Sequence, residues 1–138
     1  MRNDFKDRMH TGFPEAEQKV FTALSKAGLT KGMVTGKAIQ LRPPSEREPH
    51  GLSTTPDFEW FDVLYGLYLD GPVHKGKRLN RDDEITALLT AKGWTVSRWS
   101  YASKLSDRHV ELILELVART LIELRESKAK MRESMESE

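Results

Sequence analysis

Apolar positions recur at helical spacing near the start of the chain. In residues 13–29, FPEAEQKVFTALSKAGL, Val20, Phe21, Leu24 and Ala27 mark one face of a predicted helix. Pro14 suits the first helical turn and Gly28 a C-terminal stop. Glu17 stands three and four residues before Val20 and Phe21, so it shares their apolar face, while Glu15 points elsewhere. After the Gly-punctuated stretch TKGMVTG the period shortens to two. Lys37 to Arg42 predicts a strand that Pro43-Pro44 ends. Residues 43–55, rich in Pro, Ser, Thr and charge, predict a long loop.

Two strands are predicted next, Pro56 to Phe61 and Val63 to Leu69, joined as an antiparallel hairpin at Asp62. The second, VLYGLYL, is apolar nearly throughout and predicts a central strand covered on both faces. It ends in Asp70-Gly71-Pro72. The connection 74–81, HKGKRLNR, is basic. Asn80 then caps a predicted helix with Asp83 at its third position, and the helix runs to Lys92 with Ile85, Leu88 and Leu89 inward. Gly93 stops it. Trp94 to Trp99 is a strand, and Ser106 or Asp107 opens a long helix with the apolar line Val110, Ile113, Leu114, Val117, Leu121 and Leu124. From Arg125 that line dissolves into charge.

The organisation expected is a flexible N-terminus over 1–12, one α/β domain over 13–124, and a charged helical or disordered tail over 125–138. The unit from Val63 to Trp99 implies a parallel crossover, and the hairpin before it is antiparallel. The predicted fold is therefore a mixed sheet of about four strands flanked by helices.

Composition narrows the chemistry. The chain has no cysteine among its 138 residues, which excludes disulfides, cysteine-ligated zinc, iron–sulfur clusters and thiol nucleophiles. Lys and Arg number 22 and Asp and Glu 21, so the net charge of +1 leaves room for a local basic patch without demanding one. No apolar run approaches the roughly 20 residues of a membrane helix, and the opening MRNDFKDRMHTGF has no apolar signal core. A cytoplasmic protein without a membrane partner is the expectation.

Asp57 and Asp70 stand 13 residues apart on the two hairpin strands. Brought together by a bend or a register offset, they offer oxygen ligands to a hard cation and leave positions open for water and phosphate. Read plainly, they are two acids ending strands at the surface. Lys75, Lys77, Arg78 and Arg81 form either a phosphate-holding cluster or a solvated loop. His74 is a turn residue or a proton acceptor. Glu17 answers the helix dipole or belongs to a site. Trp94 and Trp99 flank a buried strand and suit core packing, whereas Trp60 is open to core packing or to stacking on bases.

Taken in order, Pro56-Asp57-Phe58, the apolar strand into Asp70-Gly71-x-x-His74, Asp82, and Leu89-x-x-x-Gly93-Trp94-x-Val96-x-Arg98 resemble the PD-(D/E)xK nuclease superfamily, in the branch of the very-short-patch mismatch repair endonuclease and its DG-x-x-H relatives. The resemblance spans Pro14 to Arg98 and includes the glutamate of the opening helix. It implies a restriction-endonuclease-like fold and an endonuclease that hydrolyses phosphodiester bonds in DNA with Mg2+ or Mn2+, in repair or DNA processing. On that reading Asp57 and Asp70 ligate the metal, Glu17 orients a water, His74 accepts a proton or adds a ligand, and Asp82 belongs to the rim. Lys75, Lys77, Arg78 and Arg81 would hold DNA phosphates.

Three positions depart from the pattern. Pro72 stands where the superfamily's lysine is usual, Tyr68 where many relatives carry a glutamate, and Ile85 where they often carry an arginine. These departures motivate the alternative, a catalytically inactive domain of the same fold that binds nucleic acid or a protein partner. The long last helix also leaves room for a homodimer through it.

Overall fold

The structure, a computed structural model, describes residues 15–71 and 77–136, and for 77–80 the backbone only. The first helix, α1, spans Glu15–Lys26. Val20 and Leu24 of the predicted face are at 0% exposure with Ala16 and Glu17 buried beside them, and Phe21 is half-buried, whereas Ala27 lies beyond the helix and is exposed. Glu15 and Glu17 lie in its first turn and Lys26 in its last, the arrangement the helix dipole favours. There follow β1 (Met33–Val34), β2 (Ile39–Arg42), β3 (Leu52–Thr54), β4 (Phe58–Trp60), β5 (Tyr65–Asp70), α2 (Lys77–Ala91), β6 (Thr95–Ser100) and α3 (Asp107–Glu136).

The main sheet has the strand order β1-β4-β5-β6. β1 and β5 pair antiparallel with β4, and β6 pairs parallel with β5. The parallel pairing needs a crossover, which α2 supplies. The domain is thus a small α/β unit with a mixed four-strand sheet and three helices among the described residues. All six residues of β5 are buried, so the central strand is covered on both faces.

Successive side chains alternate between two layers. On one face Phe58, Trp60, Tyr65, Leu67 and Leu69 pack against Val20 and Leu24 of α1, Leu105, and Ile113, Val117 and Leu121 of α3. On the other, Tyr68 and Trp94 meet Leu41 and Leu52 of the β2–β3 hairpin and Ile85 and Leu89 of α2. Arg42 fastens this second layer. Its guanidinium donates to Glu48 within the hairpin at 2.8 and 3.0 Å and to Glu84 of α2 at 2.8 Å.

Several local expectations are corrected. The stretch 43–55 is not all loop, because Leu52–Thr54 forms β3 and pairs antiparallel with β2. Gly51 makes that return possible: its φ is +70°, and a Cβ there would collide with the Arg42 carbonyl oxygen. The Gly-punctuated stretch contains β1. β2 belongs to a separate two-stranded sheet, not to the main one. The β4–β5 connection takes residues 61–64 rather than Asp62 alone, so both strands are shorter than predicted. Asn80 lies inside α2, which begins at Lys77, and so is not its cap.

The capping serine of α3 is Ser106, whose Oγ accepts from the His109 amide at 3.1 Å. The tail is helical to Glu136. Arg125 donates to the Asp62 carboxylate at 3.2 Å and Lys128 to its backbone carbonyl, tying the helix to the β4–β5 turn. Further along, Met131 and Met135 are exposed. No helix among the described residues is long and apolar enough to cross a membrane.

Candidate functional site

Asp57 immediately precedes β4. Its backbone amide donates to Leu67 at 3.0 Å, and its Oδ2 accepts from the Leu69 amide at 2.7 Å. The carboxylate thus takes a ladder position before β4 has begun, which aims it at the carboxyl end of β5. Asp70 is the last residue of that strand and is 8% exposed.

Asp70 meets Arg98 of β6. The guanidinium Nη1 lies 3.2 Å from Oδ1 and 3.4 Å from Oδ2. Parallel register explains the encounter, since Arg98 pairs with Tyr68, two residues before Asp70, and so projects on the same face. Arg98 is held from several sides. It donates to Thr86 Oγ1 at 2.8 Å and to the Asp82 carbonyl at 3.3 Å, and it lies 4.1 Å above the Tyr68 ring. Tyr68 in turn shares a buried hydrogen bond with Thr54 of the hairpin.

Tyr101 follows β6 and closes the end of the sheet. Its amide donates to the Asp70 carbonyl at 3.0 Å. Burial raises its phenol above the usual tyrosine value, and the negative charges of Asp57, Glu17 and Asp70 raise it further. Gly71 gives this ring its place, because a Cβ on Gly71 would stand 3.2 Å from the Tyr101 hydroxyl. Three acids from separate segments therefore act on one phenol at the carboxyl end of β5.

Of the residues expected at a site, Glu17, Asp57 and Asp70 share this locality. Glu17 reaches it because α1 buries the face that carries it. Asp82 adjoins through its backbone carbonyl on Arg98. Arg81 is exposed and its charge acts on Glu48 of the hairpin. His74 and Lys75 lie outside the described residues, as do the side chains of Lys77 and Arg78. Trp60 is fully buried, and its indole N–H donates to the Leu29 carbonyl at 2.9 Å. It is a core residue and offers no face to a base.

Tyr101 and the holding role of Arg98 were not apparent in the sequence. The signal for Tyr101 is its place one residue past a strand that ends beside Asp70. For Arg98 it is a charged residue in the middle of a half-buried strand.

Among the described residues no group of three or more His, Asp or Glu side chains is placed to hold a metal ion. The donors at this edge are carboxylates, a phenol and backbone carbonyls. Compared with protein-family models, curated proteins and solved structures, the chain matches none.

Proposed function

We propose that the protein is a metal-dependent endonuclease acting on DNA, in repair or DNA processing. The reading rests on one observation, the placement of Asp57 and Asp70 at the carboxyl end of the central strand, the first held by the Leu69 amide and the second by Arg98. It draws further support from the resemblance of the motif order to the PD-(D/E)xK superfamily and its restriction-endonuclease-like fold. Asp57 and Asp70 would hold Mg2+ or Mn2+, which supplies charge neutralisation at the phosphate and a nucleophile at neutral pH. The main-chain bond from Leu69 fixes the Asp57 carboxylate, and Arg98 fixes that of Asp70. Glu17 would orient the attacking water, His74 would accept its proton, and Asp82 would bound the site on the α2 side. Lys75, Lys77, Arg78 and Arg81 would position the DNA backbone.

One observation favours the second reading, a non-catalytic domain of the same fold. Arg98 already provides Asp70 with a counterion inside the protein. Incubation of plasmid and single-stranded DNA with magnesium or manganese, against a chelator control, separates the two. The nuclease reading expects cleavage only with metal, and none from Asp70→Asn at unchanged secondary structure. It also expects the ions to raise the melting temperature of the wild type by binding only the folded state. Equal cleavage by Asp70→Asn would overturn the site. A wild type inert to DNA and indifferent to the ions would establish the second reading.

A further inference from the structure

The main sheet ends in two edge strands, β1 and β6. β1 has two residues and offers little backbone. β6 has six, and its ladder with β5 runs from Tyr65–Thr95 to Asp70–Ser100 without a register shift. The Thr95 amide donates to the Leu64 carbonyl at 2.9 Å and the Tyr101 amide to the Asp70 carbonyl at 3.0 Å, both toward β5. By the two-residue period of a strand, Ser97 and Trp99 also bond inward, and the N–H and C=O groups of Val96, Arg98 and Ser100 face out of the sheet. None of these outward backbone groups has a hydrogen-bond partner among the described residues.

A row of unpaired edge groups is a template for another strand, and proteins blunt it with lysine, proline, bulges or short length. β6 carries none of these devices. Its one charged residue, Arg98, is turned to Asp70 at 3.2 Å and to Thr86 at 2.8 Å, so it does not guard the edge. The small sheet shows the contrast: β2 and β3 have four and three residues, and their register shifts between Gln40 and Arg42.

We propose that β6 is a dimer edge, where β6 of a second copy adds antiparallel across a two-fold axis and joins two four-stranded sheets into one. Backbone groups spaced two residues apart along an edge are met by an extended strand. This edge suits its own copy because, apart from the committed Arg98, its residues are uncharged. The side chains also select the register. A two-fold at Arg98 would set like charges directly opposite, which is destabilising. A two-fold at Ser97 pairs Val96 with Arg98 of the second copy, each exchanging both outward bonds. It also sets Thr95 against Trp99 of the second copy, a favourable match of a β-branched with an aromatic side chain. Trp99 is only half-buried against the helix-covered layer, so it has area left to contribute. Such a contact uses the same patch on both chains and closes at two copies. The homodimer expected through the last helix is thereby joined through β6 instead. The proposal does not depend on the nuclease reading.

Sedimentation equilibrium of the full chain from about 1 to 500 μM tests it, with hydrogen exchange at both ends of that range. Dimer should accumulate with concentration, and the Val96 and Arg98 amides should gain about tenfold or more protection as it does. Amides of residues 113–121 in α3 should not change. Val96→Pro removes an outward donor and leaves the ladder to β5 whole, a place where an edge strand tolerates proline. It should stay monomeric where the wild type is dimeric. A wild type that is monomeric throughout the range would overturn the proposal. So would a dimer that survives in Val96→Pro, or one whose Val96 and Arg98 amides gain no protection. If the proline variant does not fold, the exchange of the wild type decides alone.

Discussion

Trp60 and Tyr68 occupy opposite faces of one sheet, and their surroundings differ in kind. Around Trp60 the polar tips of the large aromatics are answered one by one. The indole N–H reaches the Leu29 carbonyl, the Tyr65 hydroxyl donates to Ser97 at 2.8 Å, and the two rings stack with centroids 5.3 Å apart. Two helices and Leu105 close that layer. Around Tyr68 the cover is a hairpin and a single helix, and polar groups intrude: an arginine over the ring, an aspartate paired with the arginine, and a glutamate with no hydrogen-bond partner among the described residues. The helix-covered face carries the larger apolar core, while the hairpin-covered face carries Asp70, Arg98 and Glu59. Glu17 and Tyr101 stand on the helix-covered side, so the candidate site draws on both.

The contrast is broken most directly by cavities. Phe58→Ala should cost about 3–5 kcal/mol of global stability, since the residue is fully buried between β4 and the two helices. Leu52→Ala on the hairpin should cost about 2 kcal/mol, because a hairpin outside the main ladder can settle into the space. Urea unfolding measures both, and equal losses would erase the distinction.

Of similar size is the pH dependence of Glu59. Its carboxyl sits at about 7 in the folded protein, above the ordinary glutamate value. The folded state therefore binds the proton more tightly than the unfolded chain. The associated stability is fully present below the unfolded value near 4.3 and is lost as pH rises to about 7. At pH 8 Glu59→Gln should be more stable than wild type by about 3 kcal/mol, with the difference gone near pH 4. Unfolding curves at the two pH values decide it.

Tyr68→Phe leaves the buried Thr54 hydroxyl without its partner and should cost about 1 kcal/mol. Tyr65→Phe on the other face should cost less, since Ser97 is only half-buried. The smallest effect belongs to the surface tie between α3 and the β4–β5 turn. Arg125→Ala should cost under about 1 kcal/mol in dilute buffer and nothing measurable in molar salt. A larger, salt-resistant loss would give the C-terminal half of α3 a structural weight that the contrast between the faces leaves out.

The parts of the fold legible in the sequence are those long enough to show a period. α1, β5 and α3 each repeat their pattern, and Ser106 opens α3 as expected. β1 and β3, of two and three residues, are too short for alternation to register. The start of α2 misled because Asn80 with Asp83 makes a plausible cap within a helix that begins a turn earlier. At the candidate site, Asp57 and Asp70 could be read from their places at strand ends. Arg98 and Tyr101 could not, because their proximity to Asp70 depends on the parallel register of β6, which no local pattern encodes.

Glu59 marks where the sequence's authority ends. The alternation Asp57-Phe58-Glu59-Trp60 determines by itself that Phe58 and Trp60 point one way and Glu59 the other. In an antiparallel hairpin with one wet face, that pattern would leave Glu59 in water. Only the tertiary structure decided otherwise, when the chain laid a hairpin held by Gly51 and Arg42, together with α2, over the second face. Side-chain direction is a property of neighbouring residues along the strand. What covers a face depends on segments far along the chain, and in Glu59 that cover turned an ordinary surface acid into a buried one.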